Sequence, residues 1–508
     1  MGTEIWSAGL DLGTTSAKAV VFNDAGEVQA EAERFYAVKS PVFGYAEQDP
    51  YEIEEAALEA IKEAVTSAPI AAEKLIGIGL SSAMHTLICT DESGEALSPV
   101  IIFSDGRAHA EAERLISNGE ASALYERTGV PVHPMSPLTK LCWMKNANYQ
   151  PYLIAERFCS IKDWLLYRWF GEFVVDYGTA SASGLFNMQT LQWDELALET
   201  AGIKAEQLAR PVPPTYTLGP WHTKAAERTG LPVETPVAAG GADGALANIG
   251  IGALQPGETA VTIGTSGAVR QLTNTPQTDE AQATFCYAVT EELWLIGGGT
   301  NNGGNVLDWL SRTIGDQHEQ DAAALLSAAA SSTPGANHLL CLPLLHGERA
   351  PYWDVKARGS FVGLTNNHST ADMLRAGVEG VVYNLAHVHE ALNKHGVPTS
   401  AIYANGGFAQ SPFWLQLVAD IFEQPVEVPV SHQSAAWGAA WFARMAADPK
   451  EKLVNIKARV PMEKRLNSRG ADRSAYRSAY QSYRRLYEAL QPVMHALSEQ
   501  QSAIESPE

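Results

Sequence analysis

The stretch IWSAGLDLGTTSAKAVVFN at residues 5–23 contains two apolar runs on either side of the short segment GTTS. Such runs joined by glycine and small polar residues predict a β-hairpin. The stretch ETAVTIGTSGAVRQL at 258–272 repeats this order, with GTSG between its two runs. We interpret the repeat as an internal duplication, in which Thr262 occupies the position that Asp11 has in the first copy. Only the first half then supplies this carboxylate.

The rest of the chain alternates between strand and helix patterns. Apolar residues at helical spacing predict helices at 51–66 and 371–395, and a polar helix spaced by Tyr and Leu at 470–503. An apolar run at 76–82 predicts a buried strand, and the segment 86–97 predicts a hairpin that turns at 91–94. This alternation is typical of an α/β protein.

The length of 508 residues is too great for one core, because single cores stop growing at about 250–300 residues. The Gly-, Pro- and Ala-rich stretch at 232–257 lies near the middle and is the expected junction. We therefore predict an N-terminal domain at 1–245, a C-terminal domain at 246–445 and a helical extension at 446–508.

The composition argues against several classes of protein. The formal charge of −22 lacks the basic excess of a nucleic-acid-binding surface. No apolar run reaches the roughly 18 residues of a membrane span, and the first residues do not resemble a signal peptide, so we expect a cytoplasmic protein. The five scattered cysteines lack the spacing of a zinc or redox site, and we expect buried thiols.

Three glycine-rich loops are candidates for phosphoryl transfer, which needs held phosphates, neutralised charge and an oriented hydroxyl. In the first, Asp11 can hold hydrated Mg²⁺ while the following Thr and Ser groups cradle phosphate oxygens, although a hairpin turn with a capping aspartate has the same pattern. In the second, GGADGA at 240–245, Asp243 can act as a general base, but spacing alone favours a helix cap. The third is the glycine pair in GGFAQS at 406–411, which an ordinary tight turn also explains.

Several polar clusters could bind a hydroxylated substrate: Met84-His85, the stretch 103–107, Lys162-Asp163 and the stretch 346–349. Taken singly, each is better explained as a solvated loop or a satisfied core histidine. Together with the three loops, they match one family in order along the chain.

The sequence resembles the FGGY carbohydrate kinases from residue 5 to about residue 445. The resemblance rests on DLGTTSAKAVVF at 11–22, MSPLTKLCWMK at 135–145, GGADGALANIGIGA at 240–253, IGTSGAV at 263–269, GSFVGL at 359–364 and NGGFAQSPFWLQLVADIF at 405–422. It implies the two-domain actin/hexokinase-like (ribonuclease H-like) ATPase fold, which is α/β with a central cleft. It also implies ATP and Mg²⁺ as cofactors and a sugar or sugar acid as substrate; we expect a homodimer.

The resemblance assigns roles residue by residue. Asp243 matches the catalytic base and Asp11 the Mg²⁺ ligand. The predicted ATP-binding residues are Thr14, Thr15, Ser16, Lys18, Gly264, Thr265, Gly304, Gly407 and Ser411. The predicted substrate-binding residues are Met84, His85, Asp105, His133 and Asp243.

The substrate is predicted from local likeness within the family. Glycerol kinases carry Arg-Glu where Met84-His85 stands, which argues against glycerol, whereas xylulose kinases share the Met-His pair. The stretches SSAMHTL at 81–87 and GERAPYWD at 347–354 look like those of members that phosphorylate gluconate. We therefore predict D-gluconate, with xylulose or another pentulose as the alternative. A carboxylate needs donors, and the candidates are His85, Arg107, His133 and Arg349, with the two histidines preferred.

Three other classes of protein fit the sequence less well. A chaperone ATPase of the same fold needs a peptide-binding domain, for which the roughly 60 residues after position 445 leave no room. A silent sugar-binding regulator need not retain Asp11 and Asp243. A dehydrogenase needs GxGxxG after the first strand, and GLDLGTTS does not supply it.

Overall fold

Two large mixed sheets form the framework of the computed structural model, which describes residues 5–42, 44–314, 322–430 and 433–505. The first sheet contains β1 (Trp6–Leu12), β2 (Ser16–Phe22), β3 (Val28–Phe35), β4 (Leu75–Ser82), β5 (Thr217–Leu218) and β6 (Val237–Ala242). The second contains β7 (Glu258–Ile263), β8 (Gly267–Thr273), β9 (Phe285–Ala288), β10 (Trp294–Thr300), β11 (Ala401–Asn405), β12 (Val426–Pro429) and β13 (Met462–Leu466).

Helices cover both sheets and fill the connections. They are α1 (Pro50–Ser67), α2 (His109–Ser117), α3 (Glu120–Thr128), α4 (Pro137–Asn146), α5 (Gln150–Ile154), α6 (Ile161–Phe170), α7 (Tyr177–Ala182), α8 (Glu195–Ala201), α9 (Thr223–Thr229), α10 (Asp243–Gly250), α11 (Gly304–Ile314), α12 (Ala322–Ser331), α13 (Thr370–His395), α14 (Pro412–Phe422), α15 (Ser434–Ala447) and α16 (Arg473–Glu505). Short strand pairs join Glu47–Gln48 to Val100–Ile101, Ile88–Thr90 to Arg157–Cys159, Val174–Asp176 to Arg210–Val212, Phe186–Asn187 to Gln192–Trp193, and Leu340–Leu342 to Ser360–Val362.

The two sheets share one topology, which confirms the predicted duplication. In the first, β1, β2 and β3 form an antiparallel meander, and β4 and then β6 add in parallel beside β1. In the second, β7, β8 and β10 form the same meander, and β11 and then β12 add in parallel beside β7. The α/β class with two related halves is therefore as predicted.

Helix α15 ties the second half to the first sheet through backbone contact. A Cβ added to Gly9 in β1 would lie 1.9 Å from the carbonyl oxygen of Ala436, and one on Gly79 in β4 would lie 1.8 Å from that of Ala439. Only glycine permits so close an approach of helix to sheet. Helix α10, which leads from the first sheet to the second, packs against α15 in the same way, with Gly438 against Leu246.

The segment 86–97 folds back on itself as expected, although only Ile88–Thr90 has the length of a strand. The turn at 91–94 forms, and the returning arm forms an antiparallel bridge between Thr90 and Ala96. The strand also pairs with Arg157–Cys159, which the sequence did not predict.

The predicted domain boundary at 245/246 falls inside α10, because the Gly-rich stretch contributes strand β6 and this helix to the framework. The domain bounds stay predictions. The C-terminal segment contains β13 as well as a helix, and β13 pairs with β12 at the edge of the second sheet. Helix α16 buries Tyr476, Tyr483 and Met494 in the second core, so it is a packing element.

All five cysteines are buried free thiols, as expected. Among the described residues, no helix has both the length and the apolar character that crossing a membrane requires.

Candidate active site

Three parallel strands of the first sheet end at the same edge and bring two carboxylates together. Asp11 near the end of β1 lies in register with Ser81 of β4, and Asp243 directly follows β6 as the first residue of α10. The hydroxyl of Ser81 donates to Oδ1 of Asp11 at 2.6 Å. The sequence placed both aspartates in this site but gave no sign of Ser81, whose partner lies 70 residues away.

Both carboxyl groups have raised pKa values. Burial raises the pKa of Asp11 to about 6, the nearby charge of Asp243 raises it further, and the Ser81 hydrogen bond opposes the rise. Burial also raises the pKa of Asp243, opposed by the positive charge of Arg270 and by the Gly244 N–H, which donates to Asp243 Oδ1 at 2.6 Å. Each group is thus held where a cation or a proton stabilises it.

The β1–β2 turn presents two threonines at its tip. The N–H of Gly13 donates to the carbonyl of Ser16 at 2.9 Å, and the amide of Gln48 donates to the carbonyl of Thr14 at 2.6 Å. Thr15 is exposed and Thr14 is partly exposed. These contacts use main-chain carbonyls, so the two predicted phosphate-binding hydroxyls stay available to a ligand.

Ser16 and Lys18, also predicted to bind ATP, contact Glu33 of β3. The Ser16 hydroxyl donates to Glu33 Oε1 at 2.6 Å, and Lys18 Nζ lies 3.2 Å from Glu33 Oε2. The pair lowers the pKa of Glu33, with the Ser16 hydrogen bond as the largest cause. The two residues therefore stabilise the hairpin. In this structure their side chains contact Glu33 and are not free to bind phosphate.

Loops of the second half converge at the end of β7. The N–H of Gly304, at the start of α11, donates to the carbonyl of Gly264 at 2.7 Å, beside the exposed Thr265. Gly406 follows β11 with φ of +92°, and a Cβ there would lie 2.8 Å from the carbonyl of Ile263.

Open space remains around this cluster. A Cβ added to Gly264 or Gly407 would meet nothing within 4 Å. Ser411 accepts the Trp414 N–H at 3.4 Å as the cap of α14. The Gly264, Gly304 and Gly406 backbones thus lie close together, with room for ligand atoms beside Gly264 and Gly407.

His85 is buried in a constrained conformation. It has φ of +66°, and its Nδ1 lies 2.8 Å from the carbonyl of Ala182. Lys140 holds it in place, because Lys140 Nζ donates to the His85 carbonyl at 2.6 Å and to that of Ile102 at 2.8 Å. Burial lowers the pKa of His85 to about 3, with the charges of Lys140 and Arg349 adding to the effect. His85 is therefore neutral at physiological pH.

His133 lies nearby and is also neutral. Its Nδ1 accepts the Met135 N–H at 3.2 Å, and its ring packs edge-on against Trp353 at a centroid distance of 5.7 Å. Its Nε2 is buried, with no hydrogen-bond partner among the described residues. Burial lowers the pKa of His133 to about 3. Met84, partly buried, packs against the apolar cluster around α10 and α15.

Asp105 belongs to a structural ion pair. Its Oδ1 accepts from Arg107 Nε at 2.8 Å, its Oδ2 accepts from the Ala46 N–H at 2.7 Å, and Arg107 also reaches Glu47 at 2.6 Å. The Asp105 side chain is fully covered. Of the predicted substrate-binding residues, Asp105 is the one that the geometry supports least. Lys162 is likewise engaged, since its Nζ lies 2.5 Å from Asp176.

The second half contributes two arginines to the same cleft. Arg270 of β8 lies over the start of α10, where a Cβ on Gly244 would be 3.0 Å from Arg270 Nε. Arg349 donates from Nη2 to the carbonyl of Thr300 at 2.9 Å, and its guanidinium lies 5.8 Å from the ring centre of Phe103 in the first half. Sequence reasoning missed Arg270, although a lone arginine within the apolar strand GAVRQLT was a usable signal.

The acid pair fits a magnesium ion that arrives with a nucleotide. Within the described ranges, no group of three or more His, Cys, Asp or Glu side chains could hold a metal alone. Mg²⁺ in kinase sites uses only one or two carboxylates and completes its shell with phosphates and water. Asp11 provides such a carboxylate, and Asp243 lies close enough for its charge to act on the same site.

Comparison with known proteins agrees with this architecture. Residues 6–250 match the model of the N-terminal domain, and residues 259–447 that of the C-terminal domain, of the FGGY family of carbohydrate kinases. A gluconokinase from Bacillus subtilis (strain 168) is 41% identical over 441 residues, which are 85% of each chain.

Two solved structures from Lactobacillus acidophilus are also similar. A gluconate kinase superposes with a TM-score of 0.92 at 33% identity, covering 96% of this chain and 98% of its own. A ligand-bound xylulose kinase superposes with a TM-score of 0.91 at 33% identity and the same coverage. With both family domains matched in order across most of its length, this protein belongs to the FGGY family of carbohydrate kinases.

Proposed function

We propose that the protein transfers the γ-phosphoryl group of ATP to the terminal hydroxyl of D-gluconate, giving 6-phospho-D-gluconate and ADP. The observation that carries this proposal is the position of Asp243. It stands at the edge of the first sheet, beside Asp11, and faces Arg270 of the second half across the cleft. The names of the gluconokinase and gluconate kinase relatives support the choice of sugar.

The proposed chemistry assigns the proton to Asp243. Its carboxylate accepts the proton of the sugar hydroxyl as the hydroxyl oxygen bonds to the γ-phosphorus. The bond from that phosphorus to the β–γ bridging oxygen then breaks, and ADP leaves. Asp11 would hold a Mg²⁺ ion, which would supply positive charge to the phosphates. The desolvated Asp243, with its raised pKa, is a stronger base than an exposed aspartate.

The nucleotide is proposed to lie along the loops of the second half. Gly264, Thr265 and Gly304 would receive the phosphates, with Thr14 and Thr15 closing from the first half. Gly407 and Ser411 would lie near the nucleoside. The open space at Gly264 and Gly407 supports this placement. Roles for Ser16 and Lys18, a homodimer and a cytoplasmic location stay predictions from the sequence.

Xylulose is the second candidate sugar, because a xylulose kinase superposes almost as well as the gluconate kinase. The two sugars differ in charge, so the balance of charge in the cleft separates them. A screen of ADP release with gluconate, xylulose, ribulose and glycerol tests the proposal. We expect the fastest turnover at low concentration with gluconate; turnover confined to the neutral sugars would refute it.

A further inference from the structure

Two guanidinium groups near Asp243 feel its charge but make no ion pair with a carboxylate among the described residues. Arg270 and Arg349 are partly exposed toward the cleft, and the Nε of each is buried without a hydrogen-bond acceptor. In the described part of the chain, neither lies within 4.0 Å of an acidic oxygen. Burial lowers the pKa of both arginines. A buried cation without an ion-pair partner is stabilised strongly when an anionic ligand binds beside it.

The carboxylate beside Arg349 in sequence acts on its charge but makes no ion pair with its guanidinium. Glu348 is fully buried and accepts from Thr300 Oγ1 at 2.6 Å, from Asn384 Nδ2 at 2.9 Å and from the Asn301 N–H at 2.9 Å. Toward Arg349 it accepts only the backbone N–H, at 2.7 Å. The guanidinium of Arg349 is therefore left for another partner.

Space for both side chains comes from glycines. Any Cβ at position 244 would press on Arg270 Nε at 3.0 Å, and one at position 299 would press on Arg349 Cζ at 3.0 Å. Each guanidinium thus packs against backbone that carries no Cβ. Such packing restricts the side chain before a ligand arrives, which favours bidentate recognition of a carboxylate.

The other candidate donors lack a free charge. Burial lowers the pKa of His85 and of His133 to about 3, so both are neutral. Arg107 is occupied by Asp105 and Glu47. The two histidines, preferred from the sequence, therefore stay predictions as neutral donors only, and the Nε2 of His133 is buried with no hydrogen-bond partner among the described residues.

We propose that Arg270 and Arg349 together form the specificity-determining element that binds the carboxylate of an aldonate substrate. The inference rests on the proposed function and extends it by naming the residues that separate a sugar acid from a neutral sugar. A neutral polyol of the same length would leave both guanidinium groups unmatched in the closed cleft.

The test compares D-gluconate with D-glucitol, in which a hydroxymethyl group replaces the carboxylate. Arg270→Met and Arg349→Met are measured beside wild type and beside Arg465→Met, a matched change at an exposed position of β13. Titration calorimetry gives the Kd of each sugar and of a non-hydrolysable ATP analogue. We expect each cleft variant to weaken gluconate about tenfold to a hundredfold, as for a lost hydrogen bond to a charged group. Glucitol and the ATP analogue should change by less than about threefold, as should all ligands for Arg465→Met.

Distinct results would overturn the inference. Equal weakening of gluconate and glucitol would make the arginines general sugar contacts, and selective weakening of the ATP analogue would assign them to the phosphates. If wild type binds and phosphorylates gluconate in either case, the proposed function stands and only the arginine assignment fails. If wild type neither binds nor phosphorylates gluconate, the proposed function fails and this inference with it.

Discussion

Asp243 is the residue on which the proposed chemistry depends most. Asp243→Asn keeps the shape of the side chain but removes the proton acceptor, and we expect kcat to fall by about 10²–10⁴-fold. Binding of ATP and sugar should persist, because the asparagine preserves the packing at the start of α10. Steady-state kinetics and titration calorimetry measure the two effects. Asp308→Asn, at an exposed position of α11, is the control; near-normal turnover of a folded Asp243→Asn enzyme would remove Asp243 from this role.

The two histidines predict how sugar binding responds to pH. Burial places the pKa of His85 and His133 at about 3, so both stay neutral as the pH rises from 6.5 to 8.5. The arginines stay charged over this range. The Kd for gluconate should therefore stay constant within about threefold. A cationic histidine with an ordinary pKa near 6.5 would instead lower the affinity by up to about fiftyfold over the two pH units.

The sequence predicted those site residues that lie in contiguous motifs. Asp11 lies near the end of a strand and Asp243 directly follows one, both among glycines and small residues. The local pattern made them candidates, and the family likeness assigned their roles. Arg270 and Ser81 act through partners far away in sequence, and no local pattern shows which side of a strand faces the cleft. The lowered pKa values of the histidines come from burial, which spacing does not reveal.

At the level of the elements, the same substitution at a crowded glycine and at an open glycine is predicted to have different effects on stability. Gly79→Ala would drive a methyl group into the backbone of α15, with the Ala439 carbonyl oxygen at 1.8 Å, whereas Gly264→Ala would meet nothing within 4 Å. We expect Gly79→Ala to lower the free energy of unfolding by about 3 kcal/mol or more, because backbone cannot move aside as a side chain can. Urea unfolding measures this difference.

Gly264→Ala should leave stability nearly unchanged and raise the KM for ATP, since the added methyl enters the proposed phosphate site. Comparable destabilisation by the two substitutions would contradict the helix-to-sheet contact. An unchanged KM for ATP in Gly264→Ala would contradict the assignment of this loop.

Elements with strong local signals were predicted well. The two glycine-containing hairpins, helix α1 and helix α13 lie within one or two residues of their predicted bounds. Strand β13 and the pairing of Ile88–Thr90 with Arg157–Cys159 were missed. Both depend on a distant partner strand, and a partner far away in sequence leaves little trace in a short run of residues.

On the scale of the whole molecule, the arrangement of loops predicts closure. The sheet edge that carries Asp11 and Asp243 belongs to the first half, and the Gly264 loop belongs to the second. Phosphoryl transfer requires both to contact the same phosphate. Closure also excludes water, which would otherwise compete with the sugar hydroxyl. Solution scattering should show a smaller radius of gyration with gluconate and a non-hydrolysable ATP analogue than without ligands. An unchanged radius with both sites occupied would count against closure.

The central claim is that this kinase acts on a sugar acid. The most direct measurement is the ratio of kcat/KM for D-gluconate to that for D-xylulose with saturating MgATP, with the gluconate product examined by NMR for phosphate on the terminal hydroxyl. The two unpaired guanidinium groups of Arg270 and Arg349 in the cleft predict a ratio well above one, by about tenfold or more. A ratio below one would contradict the claim and favour a ketose kinase of the same family.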